Sequence, residues 1–332
     1  MTKRILAYFV VTFAVITCLC APVAAQVAQI NHKRVSSGVS CSTLALRWLK
    51  EHQNEDGSWG SNPTNRPALT GLAILAYAFH AETPISKEFG MTVEKGLRRL
   101  LYDVAASKTN GTLGGIENEY ISTEAIVTYA LAEAYGMTQM LILNEPTTNM
   151  VCRTIALRVK SPIWTSYAVD AARSAVEVSD IDKQRVVESC LASVKGTDLL
   201  SHATAMTSIQ LLPAWREDVR YAKEIETVMK LAKCNWHGHH ETLPMLTWFV
   251  TTEALDKEQG SAWKKWLDEF IPPLVNNMQK DGHWCVPVSP DGSGKKERAM
   301  WGEADSEIYA TCLVPIMLAI RFPNMPPPES VP

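Results

Sequence analysis

The sequence lacks the features that define several common classes of protein. It has no run of basic residues and a formal net charge of −3 over 332 residues, so a nucleic-acid partner is not expected. The alternation of Val, Ile and Thr that is typical of β-strands is nearly absent. With 46% hydrophobic and 20% charged residues, the composition is that of a globular protein and argues against a disordered chain.

Cysteine is present, but not in a pattern that predicts a disulfide framework. No C-x-x-C pair occurs, and the cysteines beyond residue 25 are scattered along the sequence: Cys41, Cys152, Cys190, Cys234, Cys285 and Cys312. An oxidising compartment would permit one or two bridges among them, although the spacing does not predict their pairing.

Long apolar stretches are absent except at the N-terminus, where residues 1–25 have the pattern of a secretory signal peptide. A short basic start (Lys3-Arg4) precedes an apolar stretch and the small residues before Gln26. We therefore expect an exported protein, periplasmic or extracellular, with a flexible leader over residues 26–40. No later segment is long and apolar enough to span a bilayer, so no transmembrane span is expected after cleavage.

Two alternatives to a cleaved signal are open. A lipid could be attached at Cys18 or Cys20, but these follow Thr17 and Leu19, where a lipoprotein signal would have a small residue. An uncleaved signal would leave the chain anchored to a membrane.

A repeated turn organises the rest of the chain. Residues 48–60 read W-L-K-E-H-Q-N-E-D-G-S-W-G, in which an amphipathic helix ends in a polar Asp-Gly bend and a tryptophan can fold back onto the helix end. The pattern returns at residues 263–284, which begin W-K-K-W and end Q-K-D-G-H-W. Two such copies predict a repeat architecture. The residues assigned to these structural turns are Gln53, Gly57, Trp59, Gln279, Gly282 and Trp284.

Two kinds of helix alternate along the chain. One kind is amphipathic and charged on its outer side, over residues 42–52, 92–107, 147–160, 182–195, 217–233 and 262–278. The other kind is apolar almost all round and rich in Ala, over residues 68–80, 122–135, 167–178, 202–212, 243–255 and 306–320. A helix that is apolar on all sides must be buried, whereas a helix with a charged side can lie outside it.

Six such pairs, joined by short loops, predict an all-α single domain: an (α/α)6 toroid, a ring of six helical hairpins closed on itself, over residues 41–322. The Pro-rich tail at residues 323–332 cannot be helical and is expected to lie on the outside or be loose.

The two Gln–Trp turns resemble the QW repeats of squalene/terpene cyclases and of protein prenyltransferase β subunits, which share this toroid. The second half, from W-K-K-W to E-I-Y-A-T-C-L-V, is similar to exported bacterial squalene-cyclase-like proteins, most of which have no assigned activity. The resemblance implies the fold over residues 41–322 and is less specific for chemistry.

The catalytic motifs of these families are not conspicuous. Cyclases protonate an alkene with an Asp of D-x-D-D, and the nearest string here, Asp180-Ile181-Asp182-Lys183, precedes an outer helix and is interpreted as a cap. The resemblance to prenyltransferases implies zinc bound by D-x-C and by the His of D-x-Y-H-T. In the corresponding last segment Ala310 replaces that His, and no D-x-C precedes the fifth inner helix. The G-C-G-E-Q motif of complement-like thioester domains, which share the toroid, is also absent.

One cluster of metal-ligand types precedes the fifth inner helix: Cys234, His237, His239 and His240. The zinc-binding motif H-E-x-x-H is incomplete, because Pro244 occupies the position of its second His. In addition, the side chains of adjacent histidines rarely point at one ion. We therefore favour a loop-and-cap role, and predict neither a metal nor another cofactor.

Polar residues near the starts of the inner helices are expected to surround one mouth of the ring. Candidate acids and bases are Glu119, Glu124, Glu303 and Asp305, and candidate binding residues are Arg66, Tyr120, His202, Trp301 and Tyr309. Glu117 and Asp198 lie at similar positions. Carboxylates are also favoured at helix N-termini on electrostatic grounds alone, so capping is the alternative for each of them.

Three hypotheses for the function are open. The first is binding, of an isoprenoid or other lipid in an apolar funnel, or of a protein or glycan at its rim. The second is a polysaccharide lyase or glycosidase that uses carboxylates at the mouth, and a terpene-cyclase-like enzyme with a diverged acid is a further enzymatic alternative. The third is a structural scaffold. Apolar lining would favour lipid or plain core, whereas convergent Glu, Asp, Tyr and Arg would favour sugar chemistry. The oligomeric state is not predicted.

Overall fold

The computed structural model describes residues 40–156 and 161–320. The predicted signal peptide, nearly all of the leader and the Pro-rich tail lie outside the described residues. The described part is built from α-helices and contains no β-strand, only an isolated bridge between Glu117 and Ser122.

The helices form two concentric layers. The outer layer consists of α1 (residues 40–51), α3 (Gly90–Asn110), α5 (Leu141–Ala156), α7 (Asp180–Ala192), α9 (Val219–Leu231) and α11 (Ser261–Asn276). The inner layer consists of α2 (Arg66–Phe79), α4 (Thr123–Thr138), α6 (Pro162–Ala171), α8 (Leu199–Ile209), α10 (Pro244–Glu258) and α13 (Glu303–Ile320). A short helix, α12 (Lys295–Trp301), lies in the last connection.

The inner helices close into a ring. Each packs against the next in the order α2, α4, α6, α8, α10, α13, and α13 packs back against α2. Nearly every residue of α2 and of α10 is buried, as expected for helices that are apolar all round. The all-α (α/α)6 toroid is therefore confirmed.

Helix boundaries differ from the predicted ones mainly in the third hairpin. The inner helix expected at 167–178 instead begins at Pro162 and ends at Ala171, before a short 3-10 turn. Proline is tolerated at the first helical position because the N–H that it lacks would have no partner within the helix. The outer helix expected from residue 147 begins at Leu141 and contains Pro146. The helix α12 was not predicted.

The two predicted Gln–Trp turns, which end at Trp59 and Trp284 and are called the Trp turns below, make the same hydrogen bonds. Trp59 donates its indole N–H to the carbonyl of Leu49 at 2.6 Å, and Trp284 donates to Leu274 at 2.8 Å, in each case ten residues earlier. Both indoles are fully buried. The backbone N–H of each tryptophan donates to a threonine of the following inner helix at 3.1 Å: Thr70 for the first turn and Thr311 for the second.

The two glutamines, in contrast, are not equivalent. Gln53 donates its side-chain amide to the carbonyls of Gly57 and Thr92, both at 3.0 Å. Gln279 occupies the place of Asn54, because its backbone N–H bonds to the residue four positions on, as that of Asn54 does. Because Gln279 is one position closer to its tryptophan than Gln53 is, its side chain reaches only the carbonyl of Asn277, at 3.5 Å.

The second turn also joins the ends of the ring. The backbone of Gly282 lies against α1, so close that a Cβ there would be 2.9 Å from the carbonyl oxygen of Leu44. Trp48 of α1 donates its indole N–H to Asp281 at 3.3 Å. The last hairpin is thereby held to the first.

Two further observations concern the described residues as a whole. None of their helices has the length and apolar character needed to cross a membrane. Their six cysteines, which include the buried Cys41, Cys190 and Cys312, are all unpaired thiols.

Candidate functional site

A cleft opens at the mouth of the ring, between the N-terminal ends of α6, α8 and α10 and the loop before α4. Its volume is about 220 Å³. The apolar part of its wall is formed by Pro162, Ile163, Leu200, Leu243 and Leu246, and the polar part by Glu119, Tyr120, Ser193, Lys195, Asp198, Ser201, Thr204, Thr242 and Thr247. Short hydroxylated and charged side chains thus face a common space.

Tyr120 is held in place at the edge of this cleft. Its backbone carbonyl accepts the indole N–H of Trp164 at 2.9 Å, and its backbone N–H donates to Asn118 at 2.8 Å. The ammonium of Lys296, from α12, lies 4.4 Å from the centre of the tyrosine ring. The short helix that the sequence did not predict therefore contributes to the mouth.

Glu119 and Lys195 form an ion pair at the rim, with 3.5 Å between the carboxylate and the ammonium. A hydrogen bond with Tyr120, together with Lys195, lowers the pKa of Glu119. Partial burial and the neighbouring Glu119 raise the pKa of Tyr120 to about 12. At neutral pH Glu119 is thus an ionised acceptor and Tyr120 a neutral hydroxyl.

Asp198 has a capping role as well as a place in the wall. It is the N-cap of α8 and accepts the backbone N–H of Ser201 at 3.0 Å. His202, one turn into α8, does not line the cleft. It is buried, with Nδ1 2.6 Å from Glu224 and Nε2 2.9 Å from the carbonyl of Gly196. His202 therefore joins α8 to the outer helix α9.

Glu124 is buried between α4 and α5. It accepts the backbone N–H of Leu113 at 2.6 Å and forms an ion pair with Arg153 at 2.7 Å. A buried carboxylate that is paired in this way holds neighbouring elements together. The structure does not bring Glu124 to the cleft with Glu119.

The other candidate acid and base, Glu303 and Asp305, have unlike environments. Glu303 is exposed and pairs with Arg298. Asp305 is buried and accepts hydrogen bonds from the backbone N–H groups of Ser61 and Asn62 and from the side-chain amide of Asn65. Asp305 therefore fastens the loop before α2 to the start of α13.

Arg66, the first residue of α2, bonds back to that loop. It donates to the carbonyl of Gly60 at 3.1 Å, and its guanidinium lies 3.9 Å from Asp56. It does not line the cleft.

Trp301 and Tyr309 stack on each other in the interior, with ring centroids 4.7 Å apart. Tyr309 donates its hydroxyl to Glu297 at 2.8 Å, and Glu297 also accepts the backbone N–H groups of Met245 and Leu246 at 2.9 Å. Burial raises the pKa of Glu297 to about 7 in spite of these donors. Sequence reasoning missed this residue, which binds the N-terminus of α10 from a separate helix.

Aromatic side chains cross the inside of the ring. Trp164 of α6 stacks on Phe249 of α10 with centroids 5.6 Å apart, although α8 separates these two helices in the ring. Tyr129 and Tyr167 stack nearby, at 5.6 Å. Glu253 is buried in the same region, where burial raises its pKa to about 8. The space between these helices is thus occupied by side chains of the protein itself.

The four residues of metal-ligand type before α10, for which a loop-and-cap role was favoured, do not converge. His237 and His240 are exposed, and His240 pairs with Asp291 at 2.9 Å. His239 is buried against Trp248, with ring centroids 5.8 Å apart. Burial raises the pKa of the Cys234 thiol.

Among the described residues, the group whose ligand atoms do converge is His283, Cys285 and Glu307. The three atoms lie within 4.8 Å of one another, and each residue is half-buried. The pattern H-x-C around Trp284 is the sequence signal that could have suggested it. Glu307 is distant in sequence and could be placed there only by the fold.

Comparisons with known proteins show the fold and not the family. No protein-family model matches the chain, and no curated protein matches its sequence. A solved wild-type glycosidase is similar in structure, with a TM-score of 0.51, 11% sequence identity, and coverage of 86% of this chain and 97% of that one. A glycosidase variant in complex with glucose is also similar in structure, with a TM-score of 0.51 and 11% sequence identity. The match covers 87% of this chain and 98% of the glycosidase chain. The squalene-cyclase and prenyltransferase ancestry stays a prediction from the Trp turns.

Proposed function

We propose that this chain binds carbohydrate in the cleft at the mouth of the ring. The observation that carries the proposal is the wall of the cleft. It combines a tyrosine, five shorter hydroxylated side chains and the charged groups of Glu119, Lys195 and Asp198 with an apolar part formed by five side chains. A sugar ring offers the complementary surface, with hydroxyl groups at its edge and C–H groups on its faces.

The size of the cleft favours a short ligand. Pockets for drug-sized molecules are about 300–1,000 Å³, and this cleft, at about 220 Å³, is smaller. One sugar unit of a longer chain would enter it, and the rest would lie along the open rim. The predicted export of the protein would place the cleft where such polymers occur.

The environments of the carboxyl groups favour binding over hydrolysis. Glycosidases need a carboxyl group of raised pKa as the proton donor, paired with an ionised carboxylate. Glu119 has a lowered pKa, which is the opposite of what a donor needs. The carboxyl groups with pKa values of about 7 and about 8, those of Glu297 and Glu253, are buried and do not line the cleft.

The aromatic contacts inside the ring also bear on the lipid hypothesis. An isoprenoid needs a continuous apolar channel, whereas Trp164 and Phe249 meet across the interior. Carbohydrate at the mouth requires no change in that packing. We therefore favour the glycan over the lipid as the ligand.

The test is titration of the purified chain against a panel of neutral, acidic and amino-sugar oligosaccharides by calorimetry. Tyr120→Ala should weaken binding at least about tenfold, since truncation of an aromatic side chain that anchors a ligand costs on the order of 2 kcal/mol. Tyr102→Ala is the matched control, because Tyr102 is exposed on α3 and does not line the cleft. It should leave binding unchanged.

Three results would contradict the proposal. One is the absence of binding to every member of the panel. Another is an isoprenoid that copurifies in stoichiometric amount. The third is release of reducing ends that Glu119→Gln abolishes, which would make the protein an enzyme.

A further inference from the structure

We infer that His283, Cys285 and Glu307 bind one divalent transition metal ion of the zinc type, outside the carbohydrate cleft. The sulfur of Cys285 lies 3.8 Å from Nε2 of His283 and 3.9 Å from a carboxylate oxygen of Glu307. The three ligand atoms lie within 4.8 Å of one another. A thiolate, an imidazole and a carboxylate form a donor set that suits Zn²⁺ or Co²⁺ and does not suit Mg²⁺ or Ca²⁺.

The two distances from the sulfur are close to those around a bound ion, and the imidazole nitrogen and the carboxylate oxygen, within 4.8 Å of each other, would close to about 3.4 Å. Zinc–sulfur bonds of about 2.3 Å and zinc–nitrogen bonds of about 2.0 Å in a tetrahedron place two ligand atoms about 3.5 Å apart. The two sulfur distances of 3.8 and 3.9 Å therefore need to shorten by only about 0.3–0.4 Å. Half-buried side chains can make such a movement without a change of backbone. Three protein ligands would leave the fourth position for water.

The backbone explains why these residues meet. Trp284, between His283 and Cys285, is buried in the core, whereas His283 and Cys285 are half-buried. Burial alternates in the same way from Gly282 to Val286, as it does where alternate side chains point to opposite sides, so His283 and Cys285 share the side away from the core. Trp284 also bonds to Thr311 of α13. Glu307 is one helical turn before Thr311, on the same face of α13, and so lies beside Cys285.

A second carboxylate orients the histidine. Nδ1 of His283 is 2.6 Å from Asp281, which leaves Nε2 directed at the sulfur of Cys285. Asp281 is itself fixed by the indole N–H of Trp48. Metal-binding histidines characteristically donate their other ring N–H to a carboxylate, which sets the tautomer and the ring orientation.

The first Trp turn shows that the fold does not require these three residues. It has the same bonds from tryptophan to helix end and to threonine. In the places of His283, Cys285 and Glu307 it has Ser58, Gly60 and Arg66. Ser58 and Gly60 offer no thiolate or imidazole, and Arg66 cannot bind a cation. The metal-ligand set thus belongs to the second turn alone and is separate from the structural requirements of the motif.

The test is titration of the purified, metal-stripped protein with Co²⁺ and with Zn²⁺. We expect one equivalent of either ion per chain, and for Co²⁺ a near-ultraviolet absorption band from the thiolate–metal bond. Cys285→Ser should abolish the band, and His283→Ser, which copies Ser58 of the first turn, should lower the affinity at least about 100-fold. Asp281→Asn should lower it about 10- to 100-fold.

Matched controls separate this site from the rest of the chain. Cys152→Ser removes an exposed cysteine and His240→Ser an exposed histidine, and both should leave stoichiometry and affinity unchanged. Zn²⁺ should raise the melting temperature of the wild type and of the controls but not of Cys285→Ser, because an ion that binds only the folded state stabilises it.

The inference is overturned by any of three results. The wild type could bind less than one tenth of an equivalent of metal at micromolar concentration. Cys285→Ser could retain the absorption band. His240→Ser could lose the metal while His283→Ser keeps it.

Discussion

The indole of Trp48 in the first helix stacks on the imidazole of His283 in the last repeat, with ring centroids 5.1 Å apart. These residues are 235 positions apart in the chain. The contact lies where the last Trp turn meets α1, so it closes the outer layer at the same place where α13 and α2 close the inner one. The stability of the whole ring should therefore depend on this junction.

Gly282→Ala tests the junction directly. Gly282 has a φ of +101°, and a Cβ there would lie 2.9 Å from the carbonyl oxygen of Leu44. Gly111 also has a positive φ, +79°, but a Cβ there would meet nothing within 4 Å. Gly111→Ala should cost about 1–2 kcal/mol for the left-handed backbone alone. Gly282→Ala should lower the free energy of unfolding by about 1–3 kcal/mol more than Gly111→Ala does, because the backbone at Leu44 or at residue 282 must move to make room for the Cβ. Urea unfolding of both variants measures the difference, and equal losses would contradict the close approach.

The buried tryptophans should dominate the stability of their hairpins. Trp59→Ala and Trp284→Ala should each lower the free energy of unfolding by about 3–5 kcal/mol through the cavity that remains. Trp59→Phe keeps a ring but removes the indole donor to the carbonyl of Leu49, which retains the backbone N–H of His52 at 3.2 Å, so the cost should be about 0.5–1.5 kcal/mol. The control is Val219→Ala, which is 82% exposed and should change stability by less than about 0.5 kcal/mol. The midpoints of denaturant unfolding measure these losses. If Trp284→Ala lowered the free energy of unfolding only slightly, the second turn would not be needed for stability.

Asp305 and Glu303 should respond differently to neutralisation. Asp305→Asn replaces one carboxylate oxygen with an NH₂ group that faces donors from the loop before α2, so about 2–4 kcal/mol should be lost. Glu303→Gln alters an exposed side chain and should cost less than about 1 kcal/mol. Thermal melting of the two variants measures this contrast. If both were equally stable, the fastening role of Asp305 would be wrong.

Glu253 should make stability depend on pH. Its pKa is about 8 in the folded protein and 4.5 in an ordinary environment, so between these values the folded state binds more protons than the unfolded state. Stability therefore falls as pH rises through this window, by several kcal/mol in total. Glu253→Gln stays neutral and should lack this component.

The measurement is the free energy of unfolding of wild type and Glu253→Gln at intervals from pH 4 to pH 9. The free energy of unfolding of Glu253→Gln should rise relative to that of the wild type as pH increases. This difference should become constant above about pH 8. Glu51→Gln, at an exposed position of α1, is the control and should follow the wild type. Parallel curves for wild type and Glu253→Gln would show that Glu253 is not buried.

Local patterns in the sequence were sufficient for the architecture. The alternation of charged-sided and wholly apolar helices predicted two layers, since a helix must bury every face that is apolar. The two Trp turns predicted a repeat, because the bend and the returning indole are encoded within about a dozen residues. The errors fell where this local signal is weakest, as at Pro146, which was predicted to precede a helix and lies inside one.

The candidate site was less accessible to such reasoning. A carboxylate at the start of an inner helix fits a cap, an ion pair or a catalytic group equally well from sequence. Tertiary structure distinguished Glu119, which faces the cleft with Lys195, from Glu124, which is buried against Arg153. It also placed Glu297 beneath α10, although no local feature marks that residue.

The helices, their pairing into hairpins and the two turns that fasten them could be predicted because they depend on neighbours close along the chain. Which polar groups meet depends instead on how the helices pack. His283 and Cys285 acquire Glu307 as a neighbour because the buried Trp284 is bonded to Thr311 on the same helix. That contact depends on the packing of the core and the closure of the ring, and no spacing in the sequence encodes either.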